Sequence, residues 1–158
     1  YRLNRLLVFF DSSLDPLGKG YQLKQALIGI GSGGLTGAGF GLSFQKFGVL
    51  PEPISDSIFA VFAEETGFVG SAVLILLLFA FTWKGFVVSQ RASDQFSRLT
   101  AAGIAFWIFF QSTVNIGSMI GVFPLAGIPL PFVSYGGSAL TVELVALGIL
   151  LNISRQKS

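Results

Sequence analysis

The chain has 158 residues, 52% of them hydrophobic and only 11% charged, and its mean hydropathy is +0.73. That composition excludes a soluble domain with a wetted surface and makes a lipid bilayer the natural solvent. The formal charge of +2 is too small to imply a nucleic-acid partner, and the lack of Cys excludes disulfides and thiolate metal sites.

In chain order, residues 1–10 alternate basic positions with Leu, Val and Phe, as in a helix leaving a membrane span or lying at the interface. The chain opens without Met and without a signal-peptide pattern, so it is expected to be the C-terminal part of a single polytopic membrane domain covering residues 1–158. Asp15-Pro16 and Gly18 turn the backbone, and a short helix is predicted from about Tyr21. The apolar stretch 26–44 is interrupted by Gly29, Gly31, Gly33, Gly34, Gly37, Gly39 and Gly41. A continuous lipid-facing helix is not expected there. Irregular backbone is tolerated at membrane depth only where protein or a water-filled cavity satisfies it, so a glycine loop packed on other helices is predicted.

Three stretches, 57–83, 99–122 and 138–153, are long and apolar enough to cross a hydrocarbon core of about 30 Å. The fold class is therefore an all-α polytopic helix bundle with about three full spans and one glycine-broken span. Lys84, Arg91 and Arg98, against Asp94 alone, place the loop between the first two spans in the cytoplasm. The same rule puts the tail with Arg155 and Lys157 inside. It also assigns the end carrying Arg2, Arg5, Lys19 and Lys24 to the cytoplasm, so the glycine-broken stretch is expected to carry the chain across. Loops 45–56 and 123–137 are then outside.

Asp56 falls where the first outer loop meets the first span. A carboxylate there serves as an N-cap, and the free N–H groups and helix dipole would also hold it ionised, ready to accept a proton. Glu64 and Glu65 follow inside the apolar stretch, where they either face a polar cavity or sit solvated near the interface. Glu143 raises the same question in the third span. Gln111 and Asn115 share a helical face, which suits interhelical hydrogen bonds. The second outer loop has three Pro and a Ser134-Tyr135-Gly136-Gly137-Ser138 turn. It either plugs the bundle or offers backbone N–H donors to an anion such as a pyrophosphate.

These motifs resemble the SEDS family (shape, elongation, division and sporulation), whose members include FtsW and RodA. The resemblance rests on DPLGKGYQLKQALIGIGSGG at 15–34, LPEPISDSIFAVFAEETGFVG at 50–70, NIG at 115–117, PLPFVSYGGS at 129–138 and LLNISR at 150–155. It implies a ten-span peptidoglycan glycosyltransferase that polymerises lipid II into glycan strands. Such an enzyme works beside a class B penicillin-binding protein and other division or elongation proteins, in the bacterial inner membrane with its site facing outward. The family's essential aspartate lies in a P-E-x-x-x-D pattern, here Pro51, Glu52 and Asp56. Where the family often has His-Thr before that aspartate, this chain has Ile54-Ser55, and Glu143 is not part of the family's pattern.

The resulting expectation is a polar, outward-opening cavity lined by Asp56 as general base, with Glu52, Lys46 and the Ser134–Ser138 turn contacting substrate. Lys46 or a divalent cation could compensate phosphate charge, with no other cofactor required. The residues 1–158 alone are expected to be inactive. A lipid II flippase and a non-catalytic scaffold are the alternatives. Lys-Gln-Ala-Leu-Ile and Ala-Val-Phe-Ala-Glu-Glu lean towards FtsW-like division members, while Gly-Ile-Pro-Leu-Pro-Phe is shared with RodA-like ones.

Overall fold

The computed structural model describes residues 19–39, 41 and 57–155. Among them the chain forms α1 (Lys19–Ser32), α2 (Ile58–Arg91), α3 (Gln95–Met119) and α4 (Gly137–Arg155), with no strands. The last three are long and apolar enough to cross a membrane. The expected all-α membrane bundle with three full spans is present.

α2 and α3 form the central antiparallel hairpin. Gly85 allows their close approach, because a Cβ there would meet the Ala105 methyl at 2.8 Å. The connection between them corrects the predicted loop 84–98. α2 runs on to Arg91, α3 starts at Gln95, and only 92–94 turn. The Asp94 carboxylate caps α3 by accepting the Ser97 amide at 2.8 Å, which holds that carboxyl below its usual range. Ser89 Oγ donates to Arg98 O at 2.8 Å and ties the two helix ends together. Lys and Arg are good helix formers, so charge alone did not mark a loop.

α2 is itself broken. Gly67 has φ 67 and ψ −164, a region that only glycine occupies at low cost. In an unbroken helix, the Phe68 and Val69 amides would donate to Glu64 and Glu65 carbonyls one turn earlier. Here they donate instead to Gly34 O at 2.9 Å and Leu35 O at 3.2 Å. The vacated carbonyls accept from the glycine loop, with Ala38 N on Glu64 O at 2.9 Å and Gly39 N on Glu65 O at 3.1 Å. The loop and the break thus exchange backbone hydrogen bonds. Gly33, Gly37 and Gly67 permit the contact, since a Cβ on any of them would collide with the opposing backbone.

The predicted crossing by the glycine-broken stretch is corrected by this packing. α1 has 14 residues, about 21 Å of helix against a core of about 30 Å. Its packing with the described residues centres on one end of the bundle. Ala26 is fully buried against Phe59, Ala60, Met119 and Leu130, and the loop after α1 stays beside residues 63–69. Lys24 therefore sits at the same end as the start of α2 and the end of α3. The positive-inside count places it at the opposite end, because it gives a short helix the crossing parity of a full span. Arg2 and Arg5 lie outside the described residues.

At the opposite end are the 92–94 turn, Lys84, Arg91, Arg98 and the Arg155 terminus of α4, whose Leu150 and Ile153 pack on Ala101. Gly67→Ala should lower thermal stability in detergent by about 2 kcal/mol or more, from backbone strain plus collision with the glycine loop. Gly148→Ala, in helix with open space around it, should be neutral or stabilising by about 0.5–1 kcal/mol. Equal effects of the two substitutions would contradict the hydrogen-bond exchange.

Candidate functional site

Glu64, Gln111, Asn115, Ser118 and Glu143, all buried, lie towards the end where α1, the start of α2, the end of α3 and the 120–136 connection meet. α2 begins with Ser57 in the cap position, its carbonyl accepting from Ala60 N at 3.0 Å and its hydroxyl making no cap bond. The cap position thus falls on Ser57 rather than on the residue before it. Asp56, Glu52 and Lys46, the predicted base and two of its neighbours, lie outside the described residues.

Glu64 is buried and Glu65 half-buried in the short helix between Ser57 and Gly67. Glu64 is therefore not a solvated interface residue. Buried carboxylates in a chain with so few charges mark a polar interior.

The connection between α3 and α4 does not arch over the bundle. It turns back into it. Gly121 and Gly127 take φ 77 and φ 64 at its bends, and Leu130 and Pro131 are fully buried. Gln111, two turns or roughly 12 Å below the end of α3, donates from Nε2 to Pro129 O at 2.9 Å. Asn115 Nδ2 donates to Ile128 O at 2.6 Å. The Phe132 ring reaches Phe81 of α2 edge-on, with centroids 5.4 Å apart.

The interhelical bonding expected of Gln111 and Asn115 is thereby corrected to helix-to-loop bonding. The physical reason is the three prolines of the loop. They supply no N–H, so the extended segment has carbonyls with no backbone donor of its own, and side-chain amides fill the gap.

The predicted substrate turn divides into two parts. Ser134 works inside the loop: its Oγ accepts Leu130 N at 2.6 Å, and its amide donates to Leu130 O at 3.0 Å. Tyr135, Gly137 and Ser138 are exposed and Gly136 is half-buried. A Cβ at Gly137 would meet nothing, and one at Gly136 only the Ala139 methyl at 3.6 Å. A ligand could therefore approach this backbone closely. The first half of the segment plugs the bundle, and the turn that follows it is exposed.

Glu143 had no role in the sequence reading. It is 3% exposed on α4, and its Oε2 accepts the Phe132 amide at 2.8 Å. Phe132 has φ 62, the left-handed region a bulky residue rarely enters. The available signal was a carboxylate two turns into a span just after a proline-rich loop. No rule of spacing names its partner.

Beside the Gly67 break, an apolar groove of about 570 Å³ is lined by Ile30, Phe59, Ala63, Phe68, Ile75 and Ile120.

Comparison with known proteins agrees with this arrangement. The chain is 46% identical over 155 residues to the stage V sporulation protein E of Bacillus subtilis, covering 98% of this chain and 42% of that protein. It is 47% identical over 156 residues to the probable peptidoglycan glycosyltransferase FtsW of Thiomicrospira cyclica, covering 97% and 40%. The chain thus spans about two fifths of the length of these relatives. A chain of a peptidoglycan synthase complex, solved for the coordination of polymerization and crosslinking, superposes with a TM-score of 0.76 at 32% identity, over 96% of this chain and 41% of that one. An Asp-to-Ala mutant of the rod shape determining protein RodA of Thermus thermophilus gives 0.63 at 36% identity, over 84% and 40%. The model of the FtsW, RodA and SpoVE cell cycle proteins matches residues 1–158. The chain belongs to that family.

Proposed function

We propose that this chain carries the outward-facing half of a site that polymerises lipid II into glycan strands, with Asp56 as general base. The observation that carries the reading is convergence. The start of α2, immediately after Asp56, packs its Ile58, Phe59 and Ala60 against Leu125, Leu130 and Val133 of the re-entrant segment. The start of α2, which follows the P-E-x-x-x-D pattern in sequence, and the segment that leads into the Ser134–Ser138 turn therefore pack together at one end of the bundle. Relatives named as probable peptidoglycan glycosyltransferases match nearly all of this chain, and an apolar groove next to a polar end suits a sugar carried on a lipid.

The chemistry requires three things of these residues. Asp56 accepts the proton of the acceptor hydroxyl as it attacks the donor sugar. Lys46 compensates the charge of the departing pyrophosphate, and Glu52 would help hold a divalent cation that would supply the same compensation. The exposed backbone of Tyr135–Ser138 holds that anion in line with the attack. The partner is a class B penicillin-binding protein that cross-links the product. The placement of the chain is a bacterial inner membrane, with division favoured over elongation.

The orientation rests on charge. Lys84, Arg91, Arg98 and Arg155 mark the turn end as cytoplasmic, which puts residues 57–67 and the re-entrant segment outside. In a full-length protein with single cysteines, an impermeant maleimide on intact spheroplasts should label position 135 and spare position 93. The reverse pattern would overturn the outward site.

Asp56→Asn tests the base. Because Ser57 holds the cap position, the substitution should leave expression and partner binding unchanged. It should lower lipid II polymerisation by about 10²–10⁴-fold, the worth of a positioned general base. Polymerisation within a few-fold of wild type would move the catalytic role elsewhere, with Glu52 next in line.

A further inference from the structure

We infer that Glu143 is a positioning residue that fixes the re-entrant segment from the α4 side, and with it the exposed Tyr135–Ser138 backbone. The inference rests on the proposed polymerase reading for its consequence, but not for its geometry. Three observations converge on it. Irregular backbone at membrane depth must find its partners in protein, and the Phe132 amide is such a group, accepted by Glu143 Oε2 at 2.8 Å. Phe132 is in a left-handed conformation, φ 62, that its side chain disfavours, so a neighbour has to hold it there. The carboxylate itself is almost wholly buried, and the Phe132 amide is its hydrogen-bond partner.

On the opposite side, α3 holds the segment through Gln111 and Asn115 on the carbonyls of Pro129 and Ile128. Those bonds fix its descending arm. The ascending arm begins at Phe132 and leads within three residues to Tyr135. Its ties are the Leu130–Ser134 turn, the Phe81 ring and Glu143. Without the carboxylate, the Phe132 amide loses the helix side chain that accepts it. The turn that follows it would then sample several positions relative to the start of α2.

What the site asks of Glu143 is an acceptor of the right length, not a charge or a proton. Glu143→Gln keeps the acceptor and Glu143→Met keeps only the shape, so the pair separates positioning from chemistry. In a full-length protein in detergent, Glu143→Gln should polymerise lipid II within about three-fold of wild type, and Glu143→Met should fall by about ten-fold or more at equal folded yield, roughly the factor of one unsatisfied buried amide. Hydrogen exchange provides a readout independent of activity. The Phe132 amide should be protected in wild type and Glu143→Gln, and should exchange about ten-fold or more faster in Glu143→Met.

Loss of activity in Glu143→Gln with Phe132 still protected would overturn the inference by giving the carboxylate a chemical role. A Phe132 amide that exchanges in wild type as fast as that of exposed Tyr135 would overturn it without any variant. A wild type that fails to polymerise while the exchange pattern holds would instead count against the polymerase reading alone.

Discussion

Every backbone N–H and C=O that leaves helical geometry inside a bilayer must find a partner in protein, because the hydrocarbon offers none. This constraint organises the molecule. Among the described residues the chain departs from helix at membrane depth in two places, the Gly67 break and the segment between α3 and α4, and solves the problem differently each time. At the break, backbone satisfies backbone: residues 34–39 trade hydrogen bonds with residues 64–69. In the re-entrant segment prolines remove donors, so Gln111 and Asn115 from α3 donate to its carbonyls, while Glu143 from α4 accepts its Phe132 amide.

Both solutions stand at the same end of the bundle, and together they give the proposed site its form. The glycine loop pins the short helix Ile58–Thr66 at its far end, while the cluster of Ala26, Phe59, Met119 and Leu130 binds it to α1, α3 and the re-entrant segment. A short helix fixed on two sides makes a firm base for the residue that precedes it. Rigid support matters for transfer between two lipid-borne sugars, since misplacement of either by about 1 Å costs orders of magnitude in rate. Family membership says what kind of reaction such a base serves in related proteins. The backbone exchange and the side-chain clamps say how this chain holds its part of the site still.

Much of this was legible in the residues. Long apolar runs named the three spans, and the density of glycine in 26–44 named a loop that other helices must satisfy. What stayed hidden depends on contacts between distant segments. Gly67 is one glycine among 20, and nothing local says that its φ must be positive until Gly34 and Leu35 are seen taking the Phe68 and Val69 amides. The crossing assigned to the 26–44 stretch failed because a positive-inside count assumes that every apolar segment spans, whereas α1 is short and buries Ala26 at one end of the bundle. Gln111 and Asn115 read as a polar face suited to interhelical bonds, because a loop that dives inward has no mark in sequence beyond its prolines. Glu143 was visible as an oddity and became intelligible only beside Phe132.

The central claim is that a full-length protein containing this chain makes bonds between sugars rather than moving a lipid across a membrane. Detergent micelles separate the two directly, because they leave no second leaflet to reach. Incubated in detergent with lipid II alone, the purified protein should yield glycan strands many disaccharides long, resolved as a ladder by gel electrophoresis. Unchanged lipid II in micelles, with the same preparation translocating it across proteoliposomes, would contradict the account.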